Sequence, residues 1–254
     1  MTDPVVNNPS PLPPGTLAEA TTAFRSAAEL IISAYDASDI QIVDQTSPQE
    51  IVDGIEKFIS VAVRLEQGRS GHERLTGEDI ANLGDYVMTL LSDLGEWTTD
   101  LGQTEAQQLL EQFTMAAAEW TITQGAEIFT LEPVVNAIAN LANNLRGPEE
   151  LEQLAEYMGK IVDAVPEELK LDVDSGEPTW SWRVLLLNRS IVATRSHNPE
   201  IIEKVFDELV HNLPEEASRF FSEGMQQMDA LNYPPRVREV MQRYFDRFTR
   251  HRMH

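Results

Sequence analysis

The sequence predicts an all-α protein of about nine to ten helices, built as stacked antiparallel helix pairs in a helical-repeat-like array or an irregular multi-helix bundle. Three observations predict it. Apolar residues recur at three-four spacing along nearly the whole chain. N-cap and first-turn proline signals punctuate those stripes, and no stretch of any weight alternates as a strand would.

Met1 to Gly15 carries five prolines, which remove backbone donors and fix φ, so residues 1–15 are expected to be a disordered Pro-rich arm. From Thr16 onward, Leu17, Ala20, Phe24, Ala27, Ala28, Ile31 and Tyr35 form one helical stripe, which the run DASDIQIVDQTS ends. Ser47, Pro48 and Glu50 then supply an N-cap, a first-turn proline and a capping-box carboxylate ahead of Ile51, Ile55, Phe58, Ile59 and Ala62. Beyond the Gly68 to Gly77 loop, Ile80, Leu83, Val87, Leu90, Leu94 and Trp97 keep the spacing of a seam packed along another helix. Thr104 with Gln107 reads as the cap of a partner striped by Ala106, Leu109, Leu110, Phe113, Ala116, Ala117 and Trp120, and the two together as an antiparallel hairpin.

Leu131, Val134, Val135, Ile138, Leu141, Ala142 and Leu145 make a further helix stopping at Gly147, followed by Leu151, Leu154, Ala155, Met158, Ile161, Val162 and Val165. The polar run KLDVDSGEPT, 170–179, is the longest interruption and a candidate hinge between helical regions 16–169 and 180–254, expected to form one continuous domain. WSWRVLLLNRSIVATRS, Trp180 to Ser196, is apolar on more than one side and so belongs at the centre of the C-terminal half. Asn198 with Pro199, and then Pro214, open the next two helices, and Val237, Val240, Met241, Tyr244, Phe245 and Phe248 stripe the last. The triplet PEE at 148–150, 166–168 and 214–216 hints at a repeated helix pair, but proline in a first turn followed by glutamates at a positive helix end explains each copy locally.

Charge narrows the function classes. The formal net charge is -23, from 42 acidic and 19 basic residues. It is unevenly spread: Arg74 and Arg146 enclose a stretch with 11 acids and no Lys or Arg, whereas residues 233–254 hold six arginines against two acids. Such a surface repels nucleic acid and anionic membrane and attracts basic partners. Without cysteine there is no disulfide, thiol nucleophile or thiolate metal site. No secretory leader or membrane span is legible, so a cytoplasmic location is expected.

Motif-borne chemistry is absent: HExxH, the P-loop and GxSxG do not occur. Glu208 and His211 form an isolated ExxH outside the apolar stripe of its helix, which reads as a solvated surface pair, and Asp172 to Glu177 fails the register of a calcium loop. No metal or cofactor is therefore expected. Candidate partner-binding residues remain. Trp180 and Trp182 point about 200° apart on a helix; both are expected to pack across a two-sided buried helix, with an exposed indole as the alternative that would anchor a partner. In the tail, Arg236, Arg243, Arg247 and Arg250 fall within about 60° of arc beside an apolar stripe. That basic amphipathic helix caps the domain, with Glu239–Arg243 and Asp246–Arg250 pairs, or offers a docking stripe to an acidic partner or a second copy.

The expectation is a non-enzymatic protein–protein interaction module, an adaptor or scaffold whose acidic helical surface engages a basic or amphipathic segment. Homo-oligomerisation stays open, and neither nucleic acid nor membrane is expected as a partner. The alternatives are a helical-bundle enzyme or small-ligand-binding protein with a site between helices, and an acidic nucleic-acid mimic.

Overall fold

The computed structural model describes residues 15–40, 46–67, 75–171 and 177–249. The expected arm, Arg250 and the centre of the candidate hinge lie outside the described residues. Within them the chain is all-α, as its periodicity predicts. Eleven helices follow in order: α1 (Leu17–Asp36), α2 (Pro48–Glu66), α3 (Gly77–Asp100), α4 (Thr104–Thr123), α5 (Glu132–Asn144), α6 (Pro148–Asp163), α7 (Glu167–Leu171), α8 (Glu177–Arg195), α9 (Pro199–Asn212), α10 (Pro214–Leu231) and α11 (Pro235–Thr249). The five-residue α7 is the one without a legible stripe, since a single turn is too short to show a period.

Helix starts follow the caps. Thr16, Ser47 and Thr76 each accept from the backbone N–H three residues on, while Glu19, Glu50 and Asp79 reach back to the capping residue. Asn198 caps α9 by accepting from Glu200 N–H at 3.1 Å. Two expected signals act differently. Gln103, not Thr104, precedes α4 and makes no side-chain cap, and Gln107 donates to Glu111 instead. Gly147 does not stop α5, which ends at Asn144; it is the N-cap of α6, and Glu150 accepts from its N–H. All three PEE triplets open helices, at α6, α7 and α10.

Helices α1 to α4 close a ring in which α1 lies against both α2 and α4, and α3 against both α2 and α4. Next, α5 packs on α3 and α4, α6 on α8, and α8 against α5, α6, α7 and α9. A triangle of α9, α10 and α11 completes the fold. Neighbour relations thus change along the chain, which is an irregular bundle and not a stack of equivalent pairs. One contiguous apolar cluster runs from Leu17 on α1 to Tyr244 on α11. Aromatic contacts knit it: Phe24 with Phe113 and Phe58 with Trp120 in the ring, and Phe206, Phe221 and Tyr244 in the triangle. Close approach of α3 to α4 depends on Gly84, where a Cβ would come within 2.9 Å of buried Thr121.

The central helix α8 carries a charge into the core, which its apolar sequence does not announce. Arg189 is 4% exposed; its Nε donates to Ala155 O on α6 at 3.0 Å and its Nη1 to the Glu208 carboxylate on α9. Gly159 on α6 leaves the space, since a Cβ there would stand 2.5 Å from Arg189 Nη2. Glu208 therefore departs from its expected role as a solvated partner of His211. It compensates the buried guanidinium, while His211 is exposed.

Candidate functional site

The structure separates the residues singled out in the sequence. Trp182 is 1% exposed, with Lys170 Nζ 5.6 Å from its ring centroid. Trp180 is 64% exposed, with the Arg183 guanidinium 5.7 Å from its ring centroid. The expectation that both indoles pack is thus corrected for Trp180: two positions apart on one helix face opposite ways, and α8 is covered on the Trp182 side. The exposed side of α8 continues through Val184 and Leu187, both partly buried, to Ile191, 48% exposed.

In the tail, α11 lays Val237, Val240, Met241 and Tyr244 on α9 and α10. Its arginines do not form one free stripe. Arg243 pairs with Glu203 on α9 and not with Glu239, because the neighbouring helix offers a carboxylate beside the α11 surface. Arg247 lies 5.1 Å from the Phe248 ring centroid, and Arg238 binds both Met228 O and Asp229. Arg236 meets no carboxylate among the described residues; with Arg238, Arg243, Glu200 and Glu203 it lines a groove of about 860 Å³ between α9 and α11. That groove carries both signs and largely compensates itself. Elsewhere between α9 and α11 the Tyr244 hydroxyl donates to Asp207 at 2.6 Å, and burial together with that carboxylate raises its pKa.

A different cavity concentrates one sign. The stretch from Leu75 to Leu145, without Lys or Arg, forms α3, α4 and α5, and a cleft of about 240 Å³ lies between these three helices. Glu96 from α3, Glu111 from α4 and Glu132 from α5 line it, and no basic residue does. Its walls are fixed from outside. Asp85 on α3 accepts from the backbone N–H groups of Phe129 and Thr130 at 3.1 and 2.9 Å, which ties the α4–α5 connection to α3 and sets where α5 begins. Trp97 on α3 donates its indole N–H to Thr46 O at 3.1 Å and takes the Tyr35 ring edge-on, so α3 is held from its other side.

Glu111 is the half-buried member of the trio, while Glu96 and Glu132 are exposed at the rim. Its Oε1 accepts from Asn140 Nδ2 at 2.6 Å and from Gln107 Nε2 at 3.1 Å. Its Oε2 accepts nothing from the described residues. Burial pushes the Glu111 pKa above the ordinary carboxylate value, and the two amide donors only partly offset this. A carboxylate raised in this way lacks a cation. Gly95 lines the same cleft, and a side chain there would meet nothing within 4 Å, so the α3 wall is open.

Sequence reasoning missed Glu111 because it sits beside Leu110 on the edge of the α4 stripe and belongs to no motif; the signal that pointed to its neighbourhood was the absence of arginine and lysine. No group of three His, Cys, Asp or Glu among the described residues converges closely enough to hold a metal ion, the cleft trio included. No described helix is long and apolar enough to cross a membrane. Comparison with protein-family models, with curated protein sequences and with solved structures gave no match.

Proposed function

We propose that this chain is a non-enzymatic protein–protein interaction module whose acidic helical surface takes a basic or amphipathic segment, with the α3–α4–α5 cleft as the point where a basic side chain enters. The observation that carries this reading is Glu111: a half-buried carboxylate, held in place by two neutral amides, with one oxygen that accepts nothing from the described residues and no cation among the described residues that line its cleft. A guanidinium or ammonium group supplies the missing charge and donates to Oε2, and Glu96 and Glu132 attract it at the rim. A cleft of about 240 Å³ has room for one basic side chain. The mixed-charge groove and Arg236 on α11 give the module a second face for the acidic part of a partner.

The test uses fluorescent peptides of equal length bearing arginine, lysine or neutral polar residues, titrated into the folded chain. Binding of the basic peptides should fall in Glu111→Gln by roughly tenfold, the loss expected for a charge-assisted contact. The control is Glu29→Gln, which removes the same charge from the exposed surface of α1. Equal weakening in both variants would show only the field of an acidic protein and would refute the cleft. Gly95→Leu adds a steric arm, filling the cleft without changing charge, and should also abolish binding.

A further inference from the structure

Five arginines in this fold cross between helices to a carboxylate: Arg25 to Glu56, Arg183 to Glu216, Arg189 to Glu208, Arg238 to Asp229 and Arg243 to Glu203. Arg146 and Arg195 do not. Both turn to the carbonyl end of α5. Arg195, at the end of α8, donates to Ala142 O and Leu145 O at 2.8 Å each, and Arg146 donates to Asn143 O at 2.6 Å and Leu145 O at 2.9 Å. Those carbonyls orient two guanidiniums with partial charges only; they do not neutralise them.

Beside the pair lies a cavity of about 270 Å³, to which the α8–α9 turn adds His197 and the α10–α11 connection adds Asn232 and Tyr233. No carboxylate among the described residues lines it, in a chain with 42 acidic residues. The two non-glycine residues with left-handed backbone among those described, His197 at φ 60° and Asn232 at φ 51°, both line this cavity. Such backbone clusters where a side chain must be aimed. The His197 and Tyr233 rings meet edge to face at 5.4 Å, and the Tyr233 hydroxyl has no hydrogen-bond partner among the described residues. Leu231, 63% exposed, and Leu151 give the wall an apolar side.

We propose that this cavity is an oxyanion site, binding the phosphoryl or carboxylate group of a small ligand whose remainder rests on Tyr233 and Leu231. Arg146 and Arg195 supply the charge and the forked donors, His197 and the Tyr233 hydroxyl complete the donor set, and the apolar wall holds the carrier. Capping of α5 alone does not account for the arrangement, since Arg195 already bridges Ala142 and Leu145, and a cap needs no acid-free surroundings. The negative charge of the whole molecule does not forbid an anion here. At physiological salt, fields are screened over about 8 Å, so the two adjacent guanidiniums dominate.

The experiment is calorimetric titration of the full chain with inorganic phosphate and, separately, with acetate, at constant ionic strength. Arg195→Gln risks unfolding the α5 end, so the test rests on Arg146→Gln, at an exposed position, and His197→Asn, which keeps a residue tolerant of left-handed backbone. Saturable binding at one site is expected, weakened roughly tenfold or more in Arg146→Gln with an unchanged melting temperature. Saturation by phosphate alone assigns a phosphoryl ligand, and saturation by acetate assigns a carboxylate. No saturable binding of either anion to the wild-type chain, or full affinity retained in both variants, overturns the proposal.

Discussion

Replacing Glu208 by alanine should destabilise the fold more than replacing its partner Arg189 by methionine. The asymmetry follows from where each member of the pair can go. The Arg189 side chain is 5% exposed and enclosed by α6 at Ala155 and Gly159, whereas the Glu208 side chain keeps 24% of its surface. An arginine cannot escape by losing its proton. Without Glu208 it stays charged, desolvated and bonded only to one helix carbonyl. Removing one partner of a buried pair costs about 3–5 kcal/mol; the partial exposure of Glu208 places this case at the lower end, about 3 kcal/mol. Without Arg189, by contrast, Glu208 turns to water and methionine fills the vacated volume, at a cost of about 1 kcal/mol.

Urea unfolding followed by far-ultraviolet circular dichroism measures both, and thermal midpoints give the same order. For a chain of this size each kcal/mol moves Tm by about 2–4 °C, so Glu208→Ala should lower it by about 6–12 °C. The double variant Arg189→Met, Glu208→Leu should recover most of that loss, since a well-packed apolar pair commonly equals a buried ion pair. Gly159→Ala, which drives a methyl into the guanidinium seat, should be harmful in the wild type and tolerated beside Arg189→Met. If Glu208→Ala lies within about 1 kcal/mol of wild type, or Arg189→Met is the costlier change, the charge is not isolated by burial and the reasoning fails.

Gly84→Ala should cost about 1–3 kcal/mol by overpacking, because the new methyl meets the β-branched, buried Thr121 at 2.9 Å; thermal denaturation checks it. Trp182→Ala should cost about 3–5 kcal/mol, whereas Trp180→Ala should stay within about 0.5 kcal/mol and remove the indole most accessible to iodide quenching. Burial raises the folded pKa of Glu111, so its ionisation opposes folding; the penalty is absent below the unfolded carboxylate range and complete above the raised value. Glu111→Gln should therefore stabilise the chain at neutral pH and not in acid, measured as paired urea midpoints, while it weakens basic peptides. Glu50 and Asp79 carry the opposite sign. Hydrogen bonds with Ser47 and Thr76 lower their pKa values, so their contributions are present above the unfolded carboxylate range and lost as pH falls through the folded values; Ser47→Ala and Thr76→Ala should flatten the acid limb of the stability profile.

Ten of the eleven helices were legible because each buries one face, and burying one face leaves a period in the sequence. Ser47, Pro48 and Glu50 even place the start of α2 to the residue, since a capping box is a local bond among three side chains and backbones. What a single chain does not display is which helix lies opposite. Arg243 has Glu239 one turn before it, yet pairs with Glu203, forty residues away in sequence and nearer in space. Arg189 stands inside an otherwise apolar run, and only α6 and α9 together show why a charge is tolerated there. Glu208 was assigned to solvent for the same reason: its own helix turns it away from the stripe, but α8 comes to meet it.

The same distinction applies to charge and function. Of the described arginines of the basic tail, Arg238 and Arg243 meet carboxylates of α10 and α9, and Arg247 meets the Phe248 ring. Counting charges along the chain therefore marked a segment two of whose cations are matched by neighbouring helices. Charge free to recognise something else lies in concave places where the fold supplies no counter-ion: Glu111 in a cleft without a cation, and Arg146 with Arg195 in a cavity without an acid. A paired surface charge is worth little to a newcomer, which must first displace the partner already there. A charge with no counter-ion among the described residues has no partner for the newcomer to displace, and for that reason the two cavities, more than the tail, are where ligands should bind, cations beside Glu111 and anions beside Arg146 and Arg195.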